Sequence, residues 1–303
     1  MTECKSPKHW ANDLTTILNV LGGDDRFPVK VKEFACDYSR QIFPDDPISL
    51  IKGDSLPGFE GGLFKAPIGE IGWGIIYNSD IASIGRINFT LAHEFGHYLL
   101  HRQDYPNGIE CRIEDMEHWE SDYRQIEQQA NDFAASLLMP FDDFRCQISA
   151  DDKPGLDDIG VCADRYGVSL IAATLRWLQY TKRRAILVKS IDGFIDWARS
   201  SEPAFKSGTY FKTTDRLPIE IPGVSLPILT NRLNGGRGMV EHGSGVWLNE
   251  PCVEYTIVSE HYDFSLSLLQ LGDAPTWRRQ EEEPEEDTFD QVTRQTPGSS
   301  WLA

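Results

Sequence analysis

The sequence predicts an α+β fold, and three observations carry that prediction. Apolar residues recur at helical spacing through most of residues 9–180. Three short strand-like runs, separated by Gly and Pro, break into that pattern between Ile48 and Tyr77. From Ala185 onward the apolar spacing shifts towards period two, which suits half-buried strands. A chain of 303 residues can hold two domains, each with its own core. We read residues 1–150 as one domain, 151–182 as a helix-turn-helix-like helical pair, 183–275 as a β-rich accessory domain and 276–303 as an acidic tail.

Residues 9–22 and 28–43 read as helices. In the second, Pro28 suits a first turn, and Val29, Val31, Phe34, Ala35, Tyr38 and Ile42 supply an apolar stripe. Ile48 to Lys52, Gly62 to Ala66 and Gly72 to Tyr77 are the strand-like runs, and the third leads into a strongly apolar helix with Ser83 available as its N-cap. The acidic stretch from Gln103 to Arg124 reads as a solvated loop or lid, with His118 a surface residue. One helix then ends at Leu137-Leu-Met-Pro140, and another follows over Phe141 to Ile148.

Leu156 to Tyr166 and Ser169 to Tyr180 form two helices joined at Gly167-Val168, with Ser169 as an N-cap. The arrangement is similar to a helix-turn-helix. Asp157, Asp158 and Asp164 crowd its first helix, however, and Arg176 is the one base before the end of the second. The expectation is therefore a structural pair and not a DNA reader. Farther on, Ala185 to Lys189 and Gly193 to Ala198 predict a hairpin about Ile191-Asp-Gly193. A second hairpin, from the alternating Val253, Tyr255, Ile257 and Phe264, Leu266, Leu268, should turn near Glu260-His261. Asn234 to Gly238 reads as a flexible loop and carries no phosphate-loop signature. The tail around Glu281 to Asp287 is expected to be disordered.

Composition narrows the function. The net charge of −18 argues against a duplex-DNA binder, because phosphate contacts dominate such affinity, and favours a basic partner. There is no apolar run near eighteen residues and no signal-peptide pattern, so a cytoplasmic protein without a membrane role is expected. Six cysteines are scattered without C-x-x-C pairs, which fits reduced thiols. Oligomeric state is not encoded in any feature of the sequence.

The chemistry is concentrated in Phe89 to His101, where His93-Glu94-Phe95-Gly96-His97 has the H-E-x-x-H spacing. Residues four apart share a helix face, so two imidazoles can grip one Zn²⁺ with Glu94 beside the open position. A carboxylate there can take the proton of a metal-activated water. Leu91, Ala92, Phe95, Leu99 and Leu100 make this a buried helix, in which imidazoles and a carboxylate need partners. Gly96 costs about 1 kcal/mol against Ala, which suggests close approach of another backbone. His101 continues the series, but each four-residue step rotates about 40°, so three such histidines cannot all meet one ion.

Residues 76–101 together with Glu127-Gln-Gln-Ala-Asn-Asp-Phe-Ala-Ala-Ser-Leu-Leu-Met-Pro140 resemble the core of the ImmA/IrrE metallopeptidases. The resemblance spans about residues 28–180. It implies a minimal zincin-like fold for residues 1–150, with Zn²⁺ held by two His and a Glu, and with the strand over Gly72 to Asn78 as an edge along which a substrate backbone would lie. It also implies a regulatory protease of stress response and transcription that cleaves a helix-turn-helix repressor, a basic protein substrate. The carboxylates after the first motif are Glu114, Glu117, Glu120, Asp122 and Glu127. Glu127 opens the second motif and shares a stripe with Ala130, Ala134 and Leu137, so we expect His93, His97 and Glu127 as ligands, Asn131 as a group hydrogen-bonded to a ligand, and Glu94 as the general base. Tyr77, Tyr98 and His101 are the nearby candidates for an oxyanion partner. The competing function is a non-proteolytic regulator or toxin–antitoxin component that acts by binding protein, or less favourably DNA.

Overall fold

Helix caps, apolar stripes and glycine breaks set where each element begins and ends. The computed structural model describes residues 5–112, 121–213, 217–230, 233–258 and 263–274. It divides into two units, Met1–Gln147 with Gly160–Ala173, and Ile148–Ile159 with Thr174–Ala303. The predicted acidic tail, the turn near Glu260-His261, and Glu114, Glu117, His118 and Glu120 lie outside the described residues.

In the first unit, α1 (Pro7–Gly22) starts at Ser6, whose hydroxyl accepts from the His9 N–H. The second helix, α2 (Val31–Ile42), begins three residues later than the sequence predicted. Val31 N donates to Val29 O, a tight turn that consumes the would-be first helical turn, and Pro28 packs instead against the position of Gly167. Then come β1 (Ile48–Asp54), β2 (Phe59–Lys65), β3 (Trp73–Asn78), α3 (Ile84–Leu100), β4 (Gly108–Arg112), α4 (Ser121–Leu138) and α5 (Phe141–Gln147). The strands form a mixed sheet in the order β1-β3-β2-β4, with β1 parallel to β3 and the other pairs antiparallel.

That order overturns one expectation. β3 is paired on both sides, so its backbone groups are consumed within the sheet and no substrate strand can add along Gly72 to Asn78. Among the described residues the sheet edges are β1 and β4. β4 also corrects the reading of Gln103 to Arg124 as loop. Its Ile109 is buried opposite Leu63, and the strand is so short that it leaves little periodic signal.

Two further helices follow, α6 (Leu156–Tyr166) and α7 (Leu170–Leu178), with Gly167 between them at φ +59. Ser169 caps α7 by accepting from Ala172 N. The Gly167 turn packs closely on the start of α3. Asn88 Nδ2 donates to Gly167 O at 3.0 Å, and a Cβ added at Gly85 would lie 2.4 Å from Val168 C.

The second unit is built on a five-stranded antiparallel sheet, β6-β5-β9-β8-β7, from β5 (Ala185–Ile191), β6 (Phe194–Ser200), β7 (Arg237–His242), β8 (Cys252–Val258) and β9 (Ser265–Leu271). Asp192 and Gly193 both take positive φ, which makes the β5–β6 hairpin turn. A short α8 (Glu202–Lys206) follows β6. The Asn234–Gly238 segment is a turn running into β7, not a free loop: Gly235 and Gly236 bend the chain and Arg237 pairs with Ile257. Every residue of β9 is buried, and the core gathers Ile186, Val188, Trp247, Leu269 and Leu271. Glu254 is fully buried too, accepting from His242, Trp247, Thr256 and Ser267. Cys36, Cys146, Cys162 and Cys252 form no disulfide among the described residues, and no helix among them is long and apolar enough to cross a membrane.

Asp143, in the first turn of α5, ties the first unit together. It accepts two hydrogen bonds from Arg165 at 3.1 Å, one from Tyr166 at 2.5 Å and one from Arg26 at 3.3 Å. Burial opposes its ionisation, but the hydrogen bonds from Arg165 and Tyr166 outweigh that and hold its pKa below the usual carboxylate range. A depressed carboxylate stabilises the fold above its unfolded pKa of about 3.9 and loses that contribution as pH falls through the folded value. Asp143→Asn should therefore cost about 1–3 kcal/mol at neutral pH, after discounting for the part-exposed Arg165. Urea unfolding across pH should show the gap from the parent closing in acid.

Candidate metal centre

Thr90 to Leu99 of α3 are all buried, so its polar side chains must be satisfied within the protein. His93 and His97 stand one turn apart with Nε2 atoms 2.9 Å from each other. Helix α4 brings Glu127 against both: Oε2 lies 3.1 Å from His93 Nε2, and Oε1 lies 3.1 Å from His97 Nε2. Ligand-type atoms of the three residues all fall within 4.8 Å of one another, the one such cluster among the described residues. Tetrahedral coordination at about 2.0–2.1 Å separates ligand atoms by roughly 3.3 Å. The observed triangle has that size, and two imidazoles with one carboxylate form a donor set that leaves a fourth position open. The residues fit a metal ion.

The protonation of His97 and Glu127 suits the same purpose, whereas at His93 a metal must displace the proton that Glu127 favours. Burial and the neighbouring His93 push His97 down to about 4, so it is neutral at pH 7. Burial works against the Glu127 carboxylate, but the His93 and His97 rings held against it outweigh that and keep the group ionised well below the usual range. Burial also disfavours charged His93, yet Glu127 beside it leaves its pKa raised overall. Neutral imidazole and ionised carboxylate are the ligating forms.

Close helix packing makes the triangle possible. A Cβ at Gly96 would sit 2.9 Å from Phe133 Cδ1 and 3.4 Å from Ala130 Cα, so α4 lies directly on the Gly96 backbone. Asn131, one turn beyond Glu127, meets His93 Nδ1 with its Oδ1 at 2.9 Å, as expected. His101 is buried behind His97, with Nδ1 atoms 3.0 Å apart, and does not join the three-residue cluster.

Glu94 is fully buried on the same helix, and β2 runs beside it. A Cβ at Gly61 would lie 2.7 Å from Thr90 Cγ2 and 3.2 Å from Glu94 Oε1. Gly61 thus makes room for that carboxylate, a role absent from the sequence reading; the Gly61-Gly62 pair inside a strand was the visible signal. Of the oxyanion candidates, Tyr98 is committed: its hydroxyl donates to Asp46 O at 2.7 Å, and burial pushes its pKa up to about 12. Tyr77 Oη accepts from Lys32 Nζ at 2.5 Å, and His101 is engaged by His97 and Gln129.

An apolar two-helix site with a His-His-Glu cluster and a neighbouring buried carboxylate defines a metallopeptidase domain. Residues 55–178 match the family model for Peptidase_M78, the IrrE N-terminal-like domain, so this chain carries the ImmA/IrrE metallopeptidase domain that its two motifs resemble. The match begins within the loop before β2 and ends with α7, a narrower span at the N-terminal side than the sequence resemblance. A search of curated proteins finds no match to the chain.

Gly96→Val should separate α3 from α4. Overpacking of this kind costs about 1–3 kcal/mol, and the displaced Glu127 should lower metal content in the purified protein. An unchanged melting temperature together with full metal content would show that the helices tolerate the added side chain.

Proposed function

We propose that this protein is a Zn²⁺-dependent endopeptidase of zincin-like fold, in which His93, His97 and Glu127 hold the metal and Glu94 is the general base. The observation that carries the reading is the convergence of those three side chains beside buried Glu94. A bound Zn²⁺ would polarise the scissile carbonyl and acidify the attacking water. Glu94 takes the proton of that water and returns it to the leaving amine nitrogen. Gly61 keeps the space this carboxylate needs, and the apolar surroundings of α3 exclude competing water.

For the substrate we propose a basic helix-turn-helix repressor, cleaved in the cytoplasm as part of a regulatory or stress response. The charge of −18 supports a basic partner. We take residues 151–182 as a structural helical pair, 183–275 as an accessory domain and 276–303 as a tail. The DNA-binding alternative loses its main support at Arg176, which is buried and donates to Gln179 Oε1 at 3.0 Å. Its turn, moreover, is packed on α3.

Two experiments test this reading. Glu94→Gln should fold and keep stoichiometric zinc while losing at least about 10²-fold in cleavage rate, the low end for acid–base catalysis. The substrates to use are helix-turn-helix repressors from the source genome, scored for metal-dependent fragments; cutting at the parental rate would remove Glu94 from its role. A parent that binds a repressor without cutting it would favour the non-proteolytic alternative. Separately, Glu127→Ala should abolish stoichiometric zinc in a metal-content assay, whereas Glu120→Ala should retain it. The reverse result would move the third ligand.

A further inference from the structure

The outward nitrogens of the two histidines face different partners. His93 Nδ1 meets Asn131 Oδ1, a carbonyl oxygen that can only accept, so in the neutral ring Nδ1 carries the proton and Nε2 is left as a lone pair. His97 Nδ1 instead meets another ring nitrogen, His101 Nδ1, at 3.0 Å. That contact by itself fixes nothing, since either nitrogen could donate.

The direction is set one bond farther out. His101 Nε2 lies 2.8 Å from Gln129 Oε1, again an atom that can only accept. A neutral imidazole has a single N–H, so the proton of His101 sits on Nε2 and its Nδ1 presents a lone pair. His97 Nδ1 then donates to it, and the lone pair of His97 lies on Nε2, facing His93 and Glu127, with the Gln129 contact competing against a direct Nε2–H bond to the Glu127 carboxylate. The reverse order would set the His101 Nε2 lone pair against the Gln129 oxygen in a buried site, where an unsatisfied polar pair is costly.

We propose that Gln129 and His101 form a positioning relay that holds His97 in its metal-ligating tautomer, an inference that rests on the metal-centre reading above. All three settings come from one stretch of α4. Glu127 reaches the metal position, Gln129 orients His97 through His101, and Asn131 orients His93 directly. His101 is 4% exposed at the C-cap of α3, so the relay is shielded from water that could satisfy either tautomer.

The test uses the full chain in two independent measurements. In the metal-free protein, held above the imidazole titration range, long-range ¹H–¹⁵N correlation of the histidine rings should show His101 protonated at Nε2 and His97 at Nδ1. Chelator competition should then show that His101→Leu and Gln129→Leu weaken Zn²⁺ binding by about 10- to 100-fold, the usual effect of losing a group that orients a ligand. His101→Gln and Gln129→Glu keep an acceptor in place and should recover most of the affinity. A merely structural role would lower melting temperature in all four variants without that split. Parental affinity in His101→Leu, failure of both acceptor variants to recover binding, or a parental His97 protonated at Nε2 would each overturn the proposal. If the parent itself binds no Zn²⁺, the metal-centre reading fails, while the ring spectra still decide the relay.

Discussion

The site depends on how near α3 and α4 can come to each other. Glu127 is a short side chain on one helix that must touch two imidazoles on the other, and its contacts are 3.1 Å each. Packed helices ordinarily stand about 8–10 Å apart, according to the side chains between them. Here the contact residues are Gly96 on one side and Ala130 with Phe133 on the other. The edge of the Phe133 ring occupies the space a Cβ would take at Gly96, and the same ring stands edge-on to Phe95 at 5.8 Å between centroids. Glycine inside a helix costs about 1 kcal/mol, and burial of these aromatic faces offsets it several-fold. One missing methyl group thus sets the distance on which the ligand triangle depends.

A helix carrying ligands must also be fixed along its length, because rotation by a fraction of a turn would swing both imidazoles away. At its start α3 is capped by Ser83 and held against the Gly167-Val168 turn, where Asn88 donates to Gly167 O. At its other end, the Tyr98 hydroxyl in the last turn and the Arg102 guanidinium just past it both reach Asp46, through its carbonyl and its carboxylate. Asp46 also accepts from Trp73 and pairs with Lys65, and these partners keep it ionised despite partial burial. The sheet contributes Gly61 along the middle of the helix. The metal helix is therefore clamped at both ends and bordered by a strand without a side chain at the one place where Glu94 needs room.

What could be read in advance follows from how local each feature is. α3 and α4 were legible because their apolar stripes repeat over four or five turns, and the ligand spacing within α3 is a property of the helix alone. β4 and β7 were not, since each is short and its strand character comes from a partner strand elsewhere in the sequence. The interior place of β3 is likewise invisible: strand order is decided by non-local pairing, and the same six residues could lie at an edge. Asn131 could be inferred as a partner of one of the ligands from the turn that separates it from Glu127, though not that the ligand is His93. Gln129 could not, because its role runs through His101 and depends on which nitrogen of that ring faces which neighbour.

The helix-turn-helix-like pattern of α6 and α7 illustrates why a motif has to be judged by its surroundings. A DNA-reading pair needs its turn and second helix free to approach a groove, with bases placed to meet phosphates. In this chain the turn glycine is required at positive φ and lies against Pro28 and Asn88, so the loop is spent on packing. The acids of α6 face the wrong way electrostatically for a polyanion, and the guanidinium of α7 is buried. Cap, turn and apolar periodicity are what any tightly joined helix pair needs. Here they hold the N-terminal end of the metal helix, so the same local pattern serves the peptidase site through packing.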